Sequence, residues 1–455
     1  MSDFVSLNTA LSGLRAAQTR MTTVGQNIAN VDTPGYTRQV VTLSGSNPYF
    51  SPVGWLGAGV DVASITRARD GFLDARVRAG SDARSSLQTR ADLLQRAEST
   101  LGEPSQGLTG PLSALWSAFE NVASSPADSS ARTTALTAVG NLTTRIQQVA
   151  AGLTQLGADA RQALSAKVGD LNTKLQQVAD LNRIIGAASG SGAPNDLLDR
   201  RDQLLDQLAS EAGATVIQSQ GGPARVVIGA ISAVDGTSAT ALTLRSDGTI
   251  GVGSSGPAVT VGGEIGGYQS FLSGDLAGVQ ARLDNFVQDF ASALNAQHAA
   301  GFAPDGSSGG PLLTYSAGAP AATLAVAITD PAKLALSSAA GPPFPTNNGV
   351  NAQALADLRT ALAAGGGTAT LGGTLQSMAT DLGATTASVV SSAQSQQSLL
   401  QAVQSARQGS QGVSMDEEMT NMMEAQRAYE AAARVMTTVD ATLDVLVNHT
   451  GMVGR

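Results

Sequence analysis

The 455-residue chain contains no cysteine, and its only histidines are His298 and His449. Without thiols there is no disulfide framework and no thiolate nucleophile. Two isolated imidazoles cannot supply a zinc finger or most His-built metal and nucleophile sites. Catalysis is left with carboxylate-only arrangements. Aromatic residues make up only 4%, against 51 glycines, which suits long helices with thin cores better than one deep core. Lysine is confined to Lys167, Lys174 and Lys333, a scarcity with no functional account. Net charge is −9, which argues against a general affinity for nucleic acid or anionic membranes. No run approaches the roughly 18 apolar residues of a membrane span. The N-terminus also lacks the basic segment and solid apolar run of a secretory signal peptide. Composition alone reads as a cytosolic chain with no cofactor, long enough for two or three domains.

What is present is a pattern at both ends. From Phe4 to Val31, Leu7, Leu14, Met21 and Ile28 fall seven apart, and Ala10, Ala17, Val24 and Val31 sit three after each. Two interleaved rows make one narrow stripe, the seam of a coiled-coil helix. The helix is expected to stop at Thr33-Pro34-Gly35-Tyr36, where Pro34 pushes Thr33 toward extended geometry and Pro-Gly fits a type II turn. Near the other end, Ser414 with Glu417 reads as a capping box. Met415, Met422, Tyr429, Met436 and Leu443 then repeat every seven, with Ala425, Ala432, Val439 and Leu446 in the second row. Gly451 is placed to end that helix.

Helical periodicity dominates between the ends. The spacing predicts helices over about 66–101, a short one carrying Leu112, Leu115, Trp116 and Phe119, and a long one over about 128–186. The long helix has a single apolar stripe, which implies antiparallel partners and a bundle. Gly-Ser-rich residues 189–193 break it, and Pro194-Asn195 opens another helix through Leu208. Residues 214–262, with Val226-Val227-Ile228, Ala241-Leu242-Thr243-Leu244 and Val259-Thr260-Val261, predict a small antiparallel sheet. A helix over about 268–299 follows, then short strands and loops over 311–350 marked by Pro342-Pro343. Helices return over about 351–364 and 371–408.

Within this frame the run Asn27-Ile28-Ala29-Asn30-Val31-Asp32-Thr33-Pro34-Gly35-Tyr36-Thr37-Arg38 stands out. Physically, a polar helix end and a Pro-Gly turn would be enough to account for it. The motif residues Asn27, Asn30, Thr33, Pro34, Gly35 and Tyr36, however, closely resemble the N-terminal signature of the bacterial flagellar axial proteins, the rod, hook and hook-associated subunits. Residues 412–435, including Gly412-Val413-Ser414-Met415-Asp416-Glu417-Glu418-Met419 and Gln426-Arg427-Ala428-Tyr429, are similar to that family as well. So are Asn195–Asp202 and Phe290–His298, which point to the hook-associated members. Residues 214–262 and 311–375 match nothing recognisable.

The resemblance implies a secreted, non-enzymatic structural subunit of the extracellular flagellum, at the junction of hook and filament and needed for filament assembly and motility. Its implied partners are copies of itself in a helical or ring layer, the hook protein, a second junction protein on the filament side, and an export chaperone on the C-terminal helix. Export would run through the flagellar type III apparatus, with no cleavable signal. Another axial subunit, whether rod, hook or second junction protein, is the alternative. A secreted enzyme on an axial scaffold and a cytosolic coiled-coil adaptor are alternatives of other classes.

Other candidate sites have simpler readings. Asp196, Asp199, Asp202 and Asp206 have helical spacing, and with Arg200 they read as a solvated helix face rather than a metal site. Ala303-Pro304-Asp305-Gly306-Ser307 lacks the repeated carboxylates of a calcium loop and reads as a surface turn. His298 reads as a packing or capping residue. Six of the nine methionines lie in the last 41 residues, either as helix core or as a surface adaptable to several partners.

The expected fold is mainly α with β inserts: a terminal coiled-coil domain (1–42 with 412–455), a helical core (43–310 with 351–411, including the β insert at 214–262) and a small outer segment (311–350). The N-terminal assembly seam is expected at Leu7, Leu14, Met21, Val24 and Ile28. The C-terminal one is expected at Met415, Met422, Tyr429, Met436, Val439, Leu443 and Leu446. Residues 1–42 carry a net +1 and 414–455 a net −4, which favours pairing of the two ends. Each stripe is too narrow to bury itself alone, so each is expected to stay uncovered until copies stack.

Overall fold

A computed structural model describes residues 2–51, 54–102, 107–188, 194–218, 222–341 and 347–445. The expected break at 189–193, Pro342-Pro343, seam residue Leu446, the stop at Gly451, and Met452 lie outside the described residues. The chain runs α1 (Ser2–Ala29), β1 (Gln39–Gly45), β2 (Tyr49–Ser51), β3 (Gly54–Leu56), β4 (Val60–Arg67), α2 (Gly71–Leu101), α3 (Thr109–Ser124), α4 (Ser129–Ala188) and α5 (Asn195–Ala212). Six short strands follow: β5 (Thr215–Gln218), β6 (Ala224–Ile228), β7 (Ile231–Asp235), β8 (Ser238–Ala239), β9 (Leu242–Leu244) and β10 (Ile250–Val252). Then come α6 (Gly263–Ser270), a π-turn over Phe271–Leu276, α7 (Ala277–Ala299), β11 (Leu313–Thr314), α8 (Pro320–Thr323), β12 (Ala325–Val326), α9 (Val350–Asp357), α10 (Leu371–Gln411) and α11 (Met415–Asp444). The fold is mainly α with small antiparallel β elements.

Contacts divide the chain into two compact units, one of residues 1–82, 170–242 and 396–455, the other of 83–169 and 243–395. In the first, β1 and β4 form an antiparallel ribbon with a bulge between Thr42 and Leu43, and the ribbon packs on α1. The sequence shows no clean strand pattern here, because the bulge and the Gly and Pro residues interrupt the alternation. Strands β5, β6, β7 and β8 form a four-stranded antiparallel sheet in sequence order. Asn182 on α4 ties the sheet to the helix: its amide donates to Ala224 O (2.8 Å) and Gly236 O (2.7 Å) and its carbonyl accepts from Ala224 N (3.0 Å).

The second unit has the larger apolar core. Leu115, Phe119, Leu142, Ile146, Leu153, Phe271, Phe286, Phe290 and Leu294 are fully buried together. The rings of Phe286 and Phe290, one helical turn apart on α7, stack 5.9 Å between centroids. The end of α7 holds the outer segment by main-chain bonds. Asn295 receives the N–H groups of Leu312 and Leu313 (2.7 and 2.9 Å) and donates to Leu313 O (2.8 Å). His298 is fully buried, bonded through Nδ1 to Gly310 O (2.7 Å) and accepting from Ala335 N at Nε2 (3.0 Å). That pair of bonds fixes the neutral tautomer with its proton on Nδ1. Burial lowers its pKa below the ordinary histidine value. Asp305 sits in an exposed turn, where it accepts from Ser307 and pairs with Lys333 at 2.7 Å.

Candidate functional site

α1 is a helix because Ser2–Ala29 has no proline and only two glycines, and its apolar rows need a partner. That partner is α11 of the same chain. Of the N-terminal rows, Ala10, Ala17 and Val24 are buried, while Leu7, Leu14, Met21 and Ile28 are half-buried. On α11, Ala425 is fully buried, Met422, Met436, Val439 and Leu443 are half-buried, and Met415 and Tyr429 sit just on the exposed side at 39% and 36%. Small residues at the contact let the helices approach closely. A Cβ added to Gly13 would lie 3.8 Å from the Ala432 Cβ, and one added to Gly25 would lie 3.9 Å from the Met422 Cε. Within one chain the two strips face each other, so the surface left uncovered is a different face of α11. On it Met419 and Met423 are 55% and 50% exposed.

The signature motif supplies the lock. Asn27 is 1% exposed and makes four bonds. Its Oδ1 accepts from Tyr36 OH (2.8 Å) and Gln39 N (2.9 Å). Its Nδ2 donates to Gln39 O (2.9 Å) and Glu418 Oε2 (2.9 Å). One side chain thus joins the end of α1, the turn, the first strand and the first turn of α11. Asn30 and Thr33 act locally, with Thr33 Oγ1 donating to Asn30 Oδ1 (3.1 Å) and Asn30 Nδ2 to Gln26 O (2.9 Å). Gln203 donates to Pro34 O (2.6 Å). Gly35 has φ 78°, a left-handed conformation that favours glycine, and a Cβ there would push aside the Gln203 amide that bonds Pro34 O. Burial, then the nearby Asp199, Asp196 and Glu418 carboxylates, push the Tyr36 phenol up to about 12.

Glu417 does not complete a capping box. Ser414 flanks α11 in an extended conformation with no side-chain cap, and the Glu417 carboxylate instead accepts from Arg38 Nη1 at 2.9 Å. A second bridge, Arg20 to Glu424 at 3.7 Å, is partly exposed, and each such pair contributes at most about 1 kcal/mol. Glu418 was missing from the expected site. Its signal was available: it occupies the row of Ala425, Ala432 and Val439, where a carboxylate has no apolar purpose.

The aspartates of α5 are a solvated face only in part: Asp196 and Arg200 are exposed, as expected, but the next turns are not. Asp199 and Asp202 are buried. Arg67 Nη1 reaches both carboxylates at 2.7 Å, and Arg69 pairs with Asp202 and Asp74. Asp206 takes Arg78 Nε (2.7 Å) and Arg407 Nη1 (2.8 Å). Burial raises the Asp202 carboxyl, but the charges and hydrogen bonds of Arg69 and Arg67 outweigh it and hold the pKa below the ordinary value. Asp199 Oδ2 also receives the Thr37 N–H at 3.2 Å, so the cluster anchors the chain leaving the turn. Its carboxylates are occupied by guanidinium groups, and no cluster of three metal-ligating side chains occurs among the described residues.

Comparison with known proteins places this geometry. Residues 94–313 match the flagellar hook-associated protein FlgK helical domain, 7–37 the flagella basal body rod protein family, and 404–448 the C-terminal domain of the flagellar basal body rod FlgEFG proteins. The flagellar hook-associated protein 1 of Salmonella typhimurium is 30% identical over 324 residues, 67% of this chain, and the alignment spans 58% of that relative's length. That of Bacillus subtilis is 28% identical over the whole of both chains. The flagellar hook junction protein FlgK from Burkholderia pseudomallei has the same fold, with a TM-score of 0.66 at 19% identity over 73% of this chain and 99% of that one. With both ends and the helical middle matched, the chain belongs to the hook-associated protein 1 family of bacterial flagellar axial proteins.

Proposed function

We propose that the chain is a non-enzymatic subunit of the flagellar junction between hook and filament, a protein whose work is assembly. The observation that carries this reading is the locked pair of terminal helices. Asn27, Tyr36 and Glu418 clamp α1 to α11 at the signature turn. The pair forms a rod about 40 Å long, of the kind that can be laid side by side around a channel. Copies of the chain are its first partners, with the hook protein and a filament-side junction protein on either side of the layer. The uncovered methionine face of α11 suits the export chaperone before assembly, since Met adapts to more than one partner. The subunit reaches the outside through the type III export route and works in the extracellular flagellum. No helix among the described residues is long and apolar enough to cross a membrane.

Ala425→Asp tests the reading. Ala425 is fully buried between the helices, and a carboxylate there is unpaired in an apolar seam. The expected outcome is a strain without filaments that releases filament subunits into the medium, while the second unit keeps its hydrogen-exchange protection. Normal filaments in that strain would refute the role given to the helix pair.

A further inference from the structure

The hairpin β2–β3 carries an apolar surface that no described residue of its own chain covers. Phe50 and Trp55 are directly paired across it, edge to face with centroids 5.5 Å apart, and each is 71% exposed. Leu56 beside them is 40% exposed. From Gln39 to Val60 no residue is charged, so the hairpin lacks the groups that keep an ordinary protein surface solvated. An aromatic pair of this kind is the usual anchor of an interface, and cross-strand pairing holds it ready-made.

Its base is fixed. The ribbon below it lies on α1, where Val60 N donates to Ser12 Oγ at 3.1 Å. Gly59, at φ 102°, allows the contact, because a Cβ there would lie 2.2 Å from that oxygen. Ser46 closes the ribbon, through N to Gly59 O (3.0 Å) and Oγ to Asp61 (2.7 Å). These bonds hold the ribbon at the foot of the hairpin, which lowers the freedom lost there on docking.

The same unit offers a matching surface. Met419 and Met423, four residues apart on α11, are 55% and 50% exposed, and Met415, at the outer end of the terminal seam, extends the row at 39%. Thioether sulfur packs favourably against aromatic rings, and Asp416 beside the row can accept the Trp55 indole N–H. Both patches are open in one chain, so neither covers the other. We propose that the Phe50–Trp55 hairpin of one copy seats on the Met415–Met419–Met423 row of a second copy. Plug and socket on different parts of one subunit make a heterologous contact that repeats from copy to copy without closing in a pair. The proposal rests on the self-assembly given to the chain above and names the surface that carries it.

The absence of native cysteine makes the test direct. Gly57→Cys places a thiol beside the plug in open space, and Thr420→Cys places one beside the socket, leaving Trp55 and the methionines in place. In flagella sheared from cells making the full-length double variant, a short bis-maleimide is expected to give a ladder of covalent multimers. Either single variant, with one thiol per chain, should stay monomer and cannot pass dimer. Adding Trp55→Ser should cut the ladder about tenfold or more, without moving thermal unfolding, since that side chain is mostly exposed. If the double variant does not assemble, the same cross-link is read on the purified full-length protein at high concentration. Monomer alone, a ladder indifferent to Trp55→Ser, or an adduct to a different protein would overturn the plug while leaving the junction role standing. Absence of the wild-type chain from sheared flagella would instead defeat the junction role, and the plug with it.

Discussion

Asn27→Ala removes one side chain and strands four groups: Gln39 N–H, Gln39 C=O, the Tyr36 hydroxyl and a Glu418 oxygen. Tyr36 is half-buried and can turn to water. Gln39 and Glu418 are 8% and 2% exposed and cannot. A buried group left without its partner costs about 1–3 kcal/mol, so the three bonds at Gln39 and Glu418 together give about 3–6 kcal/mol after partial relaxation. At about 1.4 kcal/mol per tenfold, amide exchange through local opening should rise by about 10²–10⁴. The rise should be confined to the end of α1 (residues 20–29) and the start of α11 (415–425), with the core of α7 (283–294) unchanged as an internal reference.

Asn27→Asp separates the hydrogen bonds from the charge. It keeps the acceptor for Tyr36 and Gln39 N–H but sets a carboxylate about 2.9 Å from the Glu418 oxygen in place of a donor. Two carboxylates at that range cannot both ionise comfortably, so one takes a proton well above the usual value near 4. A raised carboxyl pKa means the folded state binds the extra proton, so the penalty is full at pH 7 and is relieved as pH falls toward 4. Asn27→Ala only removes a donor from the buried Glu418 carboxylate, so its dependence has the same sign but is smaller. Peptide-resolved exchange at pH 7 and pH 5 distinguishes them. Equal changes in α7, an increase below about threefold, or a pH-independent Asn27→Asp would refute the node.

Two further outcomes follow from shifted groups. Tyr36 titrates near 10 when unfolded and is held up to about 12 in the fold. Its neutral form therefore stabilises the terminal pair fully below pH 10, and that contribution disappears between pH 10 and about 12. Tyr36→Phe should abolish the alkaline step, read by circular dichroism against pH, and cost about 1 kcal/mol at neutral pH for the lost bond. His298 is held neutral by burial, with a lowered pKa. The unfolded chain takes up the proton first, so the second unit should lose stability as pH falls below about 6.5. His298→Gln should flatten the midpoint of urea unfolding across pH 5–7, and an unchanged slope there would show that another group carries the effect.

The helical part of this fold was legible because a narrow apolar stripe has one meaning. Leu7 to Val31 and Met415 to Leu443 predict two helices in want of a partner, and the structure gives them each other. The charged part was not legible. Asp199, Asp202 and Asp206 have the same spacing whether their face meets water or arginines brought from more than a hundred residues upstream, as Arg67 is. Sequence periodicity reports which residues share a face but not what covers it. Glu417 failed for a related reason: Ser414 and Glu417 satisfy the local pattern of a capping box, but Arg38 offers a full positive charge where the cap offers a single N–H. A local rule loses when a stronger partner arrives from far away.

Distance in sequence also explains why the node needs so many bonds. Asn27 and Glu418 are 391 positions apart. Closing a flexible loop of that length costs about 5 kcal/mol from the logarithmic term alone. Most of the fully buried positions in the seam between α1 and α11 are alanines (Ala10, Ala17, Ala425) and its larger side chains are only half-buried, so it buries little per turn and cannot meet that cost comfortably. Two changes offset it. The folded intervening segments hold the ends close, and the Arg67–Asp199–Asp202 cluster fixes the chain just after the turn, so the loop that Asn27 closes is far from flexible. The terminal pair thus depends on the rest of its unit, because its own seam is thin and the chain between its two halves is long.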